Sequence, residues 1–238
     1  METKHLNLTQ QLVHELGRSI LQGSYKVGDK LPSEAELSER YALSRTATRE
    51  AVKMLTAKGL ISSRPRNGIS VQEQKNWNLF DSDVLHWILV GQPDLHMLRQ
   101  FLQLRQPIEA QAAYLAAQFA TADDLAEIEV ALEKMKVAQH NNCNSDTHEA
   151  DIKFHQAVLS ATNNPFFIQL KNFIDTALRV NIRFTNRLNP VTTDEYQAHK
   201  DLYLSIKNNE PQKAFDEAMR TQIMTLELVN QEIAKLND

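Results

Sequence analysis

The chain has 238 residues, 42% hydrophobic and 24% charged, with 7% aromatic residues, 6 Gly and 7 Pro, and a formal net charge of −4. That size buries a real core in one large or two small domains, and the scarcity of glycine, proline and aromatics favours helices over a strand-rich fold. No run of about 18 apolar residues can span a membrane, no secretory signal opens the chain, and the lone Cys143 has no internal mate, so a reducing cytoplasm is expected.

Charge is segregated along the chain. Residues 1–71 hold eleven Lys/Arg and seven Asp/Glu, net +4, whereas the remainder is net −8. A basic head on an acidic body points to a polyanion that meets the head alone.

The head begins with LTQQLVHELGRSILQG, an amphipathic helix with Leu8, Leu12, Leu16, Ile20 and Leu21 on one side and a stop at Gly23. LPSEAELSERYAL follows, with Ser33 as N-cap and Glu36 as its capping-box partner. Ser44 caps the next helix, which runs to about Lys58 with Ala51, Val52 and Leu55 inward. Gly59 ends it, and LISSRPRNGISV then reads as a hairpin around Asn67-Gly68. Helix, helix, turn, helix, hairpin is the order of a winged helix-turn-helix, whose third helix enters the major groove.

Arg45 and Arg49 share a face of that helix, and each can bond guanine or phosphate with two N–H groups. Ser44, Thr46 and Thr48 offer hydroxyls at the same helix start, and Arg64, Arg66 and Gly68 mark the hairpin as a wing. These eight residues are the candidate contacts to double-stranded operator DNA.

The stretch from Gly28 to Val71 resembles the DNA-binding domain of the GntR family of bacterial regulators. The LPSE opening, SR-T--RE-V--L at the recognition helix and GLI----NG--V at the wing stand in order. The resemblance implies DNA contacts at Ser44, Arg45, Thr46, Arg49 and Gly68. Two positions depart from the family pattern: Ala35 replaces a frequent arginine and Ala47 a frequent threonine.

The organisation expected is a winged head over 1–72, a polar linker over 73–80 and an all-helical effector-binding and dimerisation domain over 81–238. In the body, 95–120 reads as a long helix containing Pro107, with a bend expected near Arg105. A second helix starts at a Thr121 cap, Asn164-Pro165 restarts the chain, and Pro211 opens the last helix. The fold class is therefore mainly α, a winged head followed by an antiparallel bundle of six or seven helices.

Asp151 and His155 stand four residues apart on one helix face. With His199 from a later helix they offer two imidazoles and a carboxylate, a donor set suited to zinc or another divalent metal. Spacing alone leaves open a plain Asp–His hydrogen bond.

EADIKFHQAVLSATNNPFF and EYQAHKDLYLSIKNNEP resemble signatures of the helical FCD domain in the FadR branch of the same family. That resemblance implies metal ligands at Asp151, His155 and His199. The position of the family's fourth histidine falls on Thr221, or on Gln222 if the register slips by one. It also implies that Arg105 holds an anionic effector; an intrahelical pair with Glu109, four residues on, is the alternative. Arg179, Asn181 and Arg183 are further candidates for lining the cavity. KNWNLFDSDVLHWIL resembles the corresponding segment of sugar-acid regulators, which makes a hexonate or hexuronate the expected effector class.

The function expected is a dimeric repressor of palindromic DNA that releases it on binding a small carboxylate beside the metal. A metal-dependent enzyme and a pure metal sensor are the alternatives. The chain has no HExxH motif, and a buried Arg105 has no use in a site that senses only a cation.

Overall fold

The structure is a computed structural model of the chain and describes residues 7–89, 95–141, 143–176, 178–179 and 193–237. The chain divides into two compact units at residue 90. Among the described residues, no helix is long and apolar enough to cross a membrane.

The first unit opens with α1 (Leu8–Leu21), capped by Asn7, and α2 (Glu34–Arg40), where Ser33 and Glu36 form the expected capping box. α3 (Arg45–Ala57) starts at Ser44, whose Oγ accepts the Ala47 N–H at 3.2 Å. Its apolar face buries Ala51, Val52 and Leu55 against Leu12, Leu16 and Ile20 of α1. β2 (Ile61–Arg64) and β3 (Gly68–Val71) form the hairpin, and the two-residue β1 (Lys30–Leu31) joins it. The order is β1-β3-β2, all antiparallel, with Leu31 opposite Ile69 and Arg64 opposite Gly68. β1 escaped the sequence reading because two residues are too few to show an alternation.

The polar stretch expected as a linker is folded onto the head. Residues 74–76 form a 3-10 turn, and Asn78 N–H donates to the Lys58 carbonyl at 3.0 Å. A Cβ on Gly59 would lie 1.9 Å from the Asn76 carbonyl oxygen, and its φ is +75°. Glycine is required there for both the left-handed turn and the close approach.

α4 (Ser82–Leu89) differs from expectation in its allegiance: it belongs to the head unit, not to the body. Val84 and Trp87 enter the same core as Leu12 and Leu55. The Trp87 ring lies against Gly17, where any Cβ would come within 2.3 Å of it, and Trp87 Nε1–H donates to His14 Nδ1 at 3.0 Å. Periodicity detects the helix but cannot say which neighbour covers its apolar face.

Lys58, the C-cap of α3, fastens this arrangement. Its ammonium donates to both Asp81 oxygens at 2.7 and 2.9 Å and to Asp83 at 2.8 Å, and lies 5.6 Å from the centre of the Trp87 ring. Burial alone would lower its pKa, but the two carboxylates outweigh that and hold it above the ordinary lysine value. One Asp81 oxygen also accepts the Asp83 and Val84 N–H groups, capping α4.

The second unit contains α5 (Leu95–Phe119), α6 (Ala122–His140), α7 (Asn144–Ala161), α8 (Pro165–Gln169), α9 (Thr193–Lys207) and α10 (Pro211–Asn237), with residues 171–176 also helical. α5 packs along α10 and against α7, and α6 along α7. Ala110, Ala112, Ala113, Ala116 and Ala117 are buried on α5, and such small side chains let neighbouring helices approach closely. α5 continues through Pro107 without interruption.

Replacing Lys58 by methionine leaves Asp81 and Asp83 without their cation. A fully buried pair broken this way costs roughly 3–5 kcal/mol; partial exposure of Asp83 reduces the expected loss to about 2 kcal/mol. The two tryptophans, Trp77 and Trp87, both lie in the head, so urea denaturation followed by their fluorescence measures it.

Candidate functional site

The head leaves its candidate residues exposed, with one exception. Ser44, Arg45, Thr46 and Arg49 are exposed at the start of α3, and Arg64, Arg66 and Gly68 are exposed on the wing. Arg66 and Gly68 have φ of 65° and 70°, which turn the chain sharply at the wing tip. Arg49 Nε lies 3.5 Å from Glu34 Oε2, so α2 steadies its guanidinium.

Thr48 departs from the expectation. It is fully buried, its hydroxyl donating to the Ser44 carbonyl at 3.2 Å and lying 3.1 Å from Ser38 Oγ. Two residues on from Thr46 the helix has turned about 200°, which takes Thr48 into the junction of α2 and α3. Lys30, absent from the sequence-based set, donates its ammonium to the Asn67 carbonyl and ties β1 to the wing tip.

In the body, α7 and α9 bring the three expected ligands together. Asp151, His155 and His199 are all buried, and one donor atom from each lies within 4.8 Å of the others. His199 Nε2 is 3.0 Å from Asp151 Oδ1, and His155 Nε2 is 3.4 Å from the same oxygen. The two imidazole Nε2 atoms are 3.4 Å apart, the separation that two nitrogens about 2.1 Å from a tetrahedral ion would have. Phe154 packs edge-on against both rings, at 5.9 and 4.9 Å between centres.

α5 supplies what lies behind these ligands. His155 Nδ1 is 2.8 Å from Glu109 Oε2, and Glu109 is in turn bonded by Arg105 through Nε and through Nη2 at 3.3 Å. A carboxylate on Nδ1–H fixes the tautomer and turns Nε2 toward the other ligands, the usual outer partner of a metal-bound histidine. Arg105 and Glu109 do form the intrahelical pair that their spacing permits, but buried at 2% and 5% exposure.

The electrostatics follow from this packing. Burial alone would raise both carboxyl pKa values. Arg105 and His155 instead bring Glu109 down to about 2, and His155 and His199 hold Asp151 well below the usual carboxylate range. Burial works against a charged His155, but Glu109 and Asp151 outweigh it and raise its pKa to about 9. Two buried nitrogens and a carboxylate oxygen, within 4.8 Å of one another and backed by a carboxylate, fit a divalent ion of the zinc type.

A narrow cavity beside this cluster is lined by Glu109, His155, Leu202 and Thr221, among others. Thr221 Oγ1 donates to the Ala218 carbonyl of its own helix at 2.9 Å. The Gln222 side chain, Asn181 and Arg183 lie outside the described residues. Arg179 is engaged elsewhere: its guanidinium bonds Glu149, on α7, and Asp175. Glu149 precedes Asp151 by two residues and so projects from the other side of α7, and it takes Arg179 with it.

Two family descriptions match this chain: "Bacterial regulatory proteins, gntR family" over residues 8–71 and "FCD domain" over residues 100–223. The chain is a GntR-family transcriptional regulator. It is 36% identical to the galactonate operon transcriptional repressor of Escherichia coli, covering 90% of this chain and 93% of that one. It is 32% identical to an uncharacterized HTH-type transcriptional regulator of the same organism, over 90% and 94% of the two chains. Among solved structures, a GntR protein of Streptococcus agalactiae aligns with a TM-score of 0.51 at 24% identity, covering 92% of this chain and 99% of that chain. The two Escherichia coli relatives are transcriptional regulators, as this GntR-family chain is.

Substituting Glu109 by glutamine weakens the orientation of His155 while keeping its shape. Metal affinity, read by competition with a chromophoric chelator, is expected to fall roughly 10–100-fold, and by more for His155→Ala. Equal affinity in Glu109→Gln and the parent protein would remove Glu109 from the site.

Proposed function

We propose that this regulator is a repressor that binds palindromic operator DNA as a homodimer and leaves it when a sugar acid binds beside a divalent metal. The metal would be held by Asp151, His155 and His199 in the body. The observation that carries the reading is the convergence of those three donors, buried and backed by Glu109 and Arg105.

When bound, a divalent ion supplies a Lewis-acid centre that accepts a carboxylate and a neighbouring hydroxyl. The protein's part is to exclude water, to fix the imidazoles and to place a guanidinium close by. Thr221 stands where the family's fourth histidine is expected, and its hydroxyl gives the cavity a short polar wall. The galactonate repressor's name supports a six-carbon aldonic acid as effector. Arg105, expected to hold the effector, is instead bonded to Glu109, so its guanidinium acts on the site through that carboxylate.

At the head, Arg45 and Arg49 would read bases or phosphates from α3, with Ser44 and Thr46 as neighbours and Arg64, Arg66 and Gly68 on the wing. Ligand release requires that the acid bind the DNA-incompetent arrangement more tightly than the competent one.

The test is a fluorescence-anisotropy titration of the full chain on its operator, with D-galactonate and related hexonates and hexuronates, with and without zinc. The expected result is at least tenfold weaker DNA binding with one of the acids. Asp151→Ala is expected to keep DNA affinity and lose the response, whereas Arg45→Ala is expected to weaken DNA binding by about 1–3 kcal/mol. Unchanged DNA affinity with every acid tried would contradict the proposed effector class.

A further inference from the structure

Helix α6 is apolar on two sides. One side buries Ile128, Ala131, Leu132, Met135 and Ala138 in the body. On the other, Val130 and Val137 are 55% and 58% exposed. With Ala126 they form a line at i, i+4 and i+11, along one face of the helix. A surface helix of a self-contained domain ordinarily carries one apolar stripe, turned to the core. The second stripe lines an open groove between α6 and α7, about 830 Å³ in volume, together with Glu133, Lys134 and Asn141.

We infer that this groove is where a second copy of the chain docks, the α6 helices of the two copies lying antiparallel across a two-fold axis that passes between residues 133 and 134. The inference rests on the dimer in the proposed function and names its surface. A two-fold contact requires that the patch match itself, and this one does. With the axis at that point, Val130 faces the partner's Val137, Glu133 faces the partner's Lys134, and Ala126 faces the partner's Asn141, each contact occurring twice. Moving the axis to Val130 would set Glu133 against the partner's Glu127 and Val137 against the partner's Asp123. Charge therefore selects the first register. Among the described residues Glu133 pairs with Lys136 of its own helix, at 3.5 Å, with both side chains more than half exposed. Such a pair is weak enough to exchange for a contact across the interface.

The experiment is sedimentation velocity on the full chain over a concentration series. The unaltered protein is expected to dimerise. Glu133→Lys alone and Lys134→Glu alone each oppose like charges twice, and each is expected to raise the dimer Kd at least tenfold. The double variant E133K/K134E restores opposite charges across the axis and is expected to return the Kd to within about threefold. Val130→Glu with Val137→Glu is expected to give monomers. Circular dichroism checks that each variant keeps its helix content, which exposed positions on α6 allow. Variants as dimeric as the parent would overturn the surface while leaving the dimer in place. A parent protein monomeric throughout would overturn the dimer itself.

Discussion

Five ionisable side chains, Arg105, Glu109, Asp151, His155 and His199, are buried together in the helical body, and taking such groups out of water is among the largest penalties a fold can carry. A single ion left without its partner would cost several kcal/mol. Here each is met by another: guanidinium on carboxylate, carboxylate on imidazole, imidazoles on a second carboxylate. The charges come from three helices, so α5, α7 and α9 are held in one relative placement for the network to close. The apolar packing around it, with Phe154 against both imidazoles and a run of alanines on α5, keeps the helices close enough for those bonds.

The head answers a different requirement. A recognition helix is useful only if its exposed face is rigid, and α3 is fixed at both ends. At its start Ser44 caps it and the Thr48 hydroxyl bonds back to the turn with α2. At its end Lys58 ties it to Asp81 and Asp83 at the start of α4. α4 is thus part of the head unit, tied through Lys58 to the C-terminal end of α3.

Much of this was legible in the sequence because it is written in local spacing. The caps at Ser33, Ser44 and Thr121, the wing at Asn67-Gly68 and the pair Asp151–His155 each lie within a turn or two of chain. His199 could be named as a third donor by its residue type, but only the resemblance to the FCD domain joined it to the other two, since no periodicity joins residues 44 apart. Thr48 misled because its residue type suits a phosphate as well as a helix junction, and only the helical angle decides between them. Glu109 was visible as a partner for Arg105, but its bond to His155 crosses between helices. Arg179 and the allegiance of α4 were misjudged for the same reason: which neighbour covers a side chain is a tertiary fact. The second apolar stripe of α6 is in the sequence too, but exposure shows which of its two stripes is left uncovered.

The central claim is that Asp151, His155 and His199 form one metal site. Anomalous X-ray scattering from crystals of the full chain grown with zinc tests it most directly. The account predicts a single strong peak in the body, within about 2.0–2.2 Å of an Asp151 oxygen and of both imidazole Nε2 atoms. A zinc-saturated crystal with those three side chains ordered and no peak between them would contradict it.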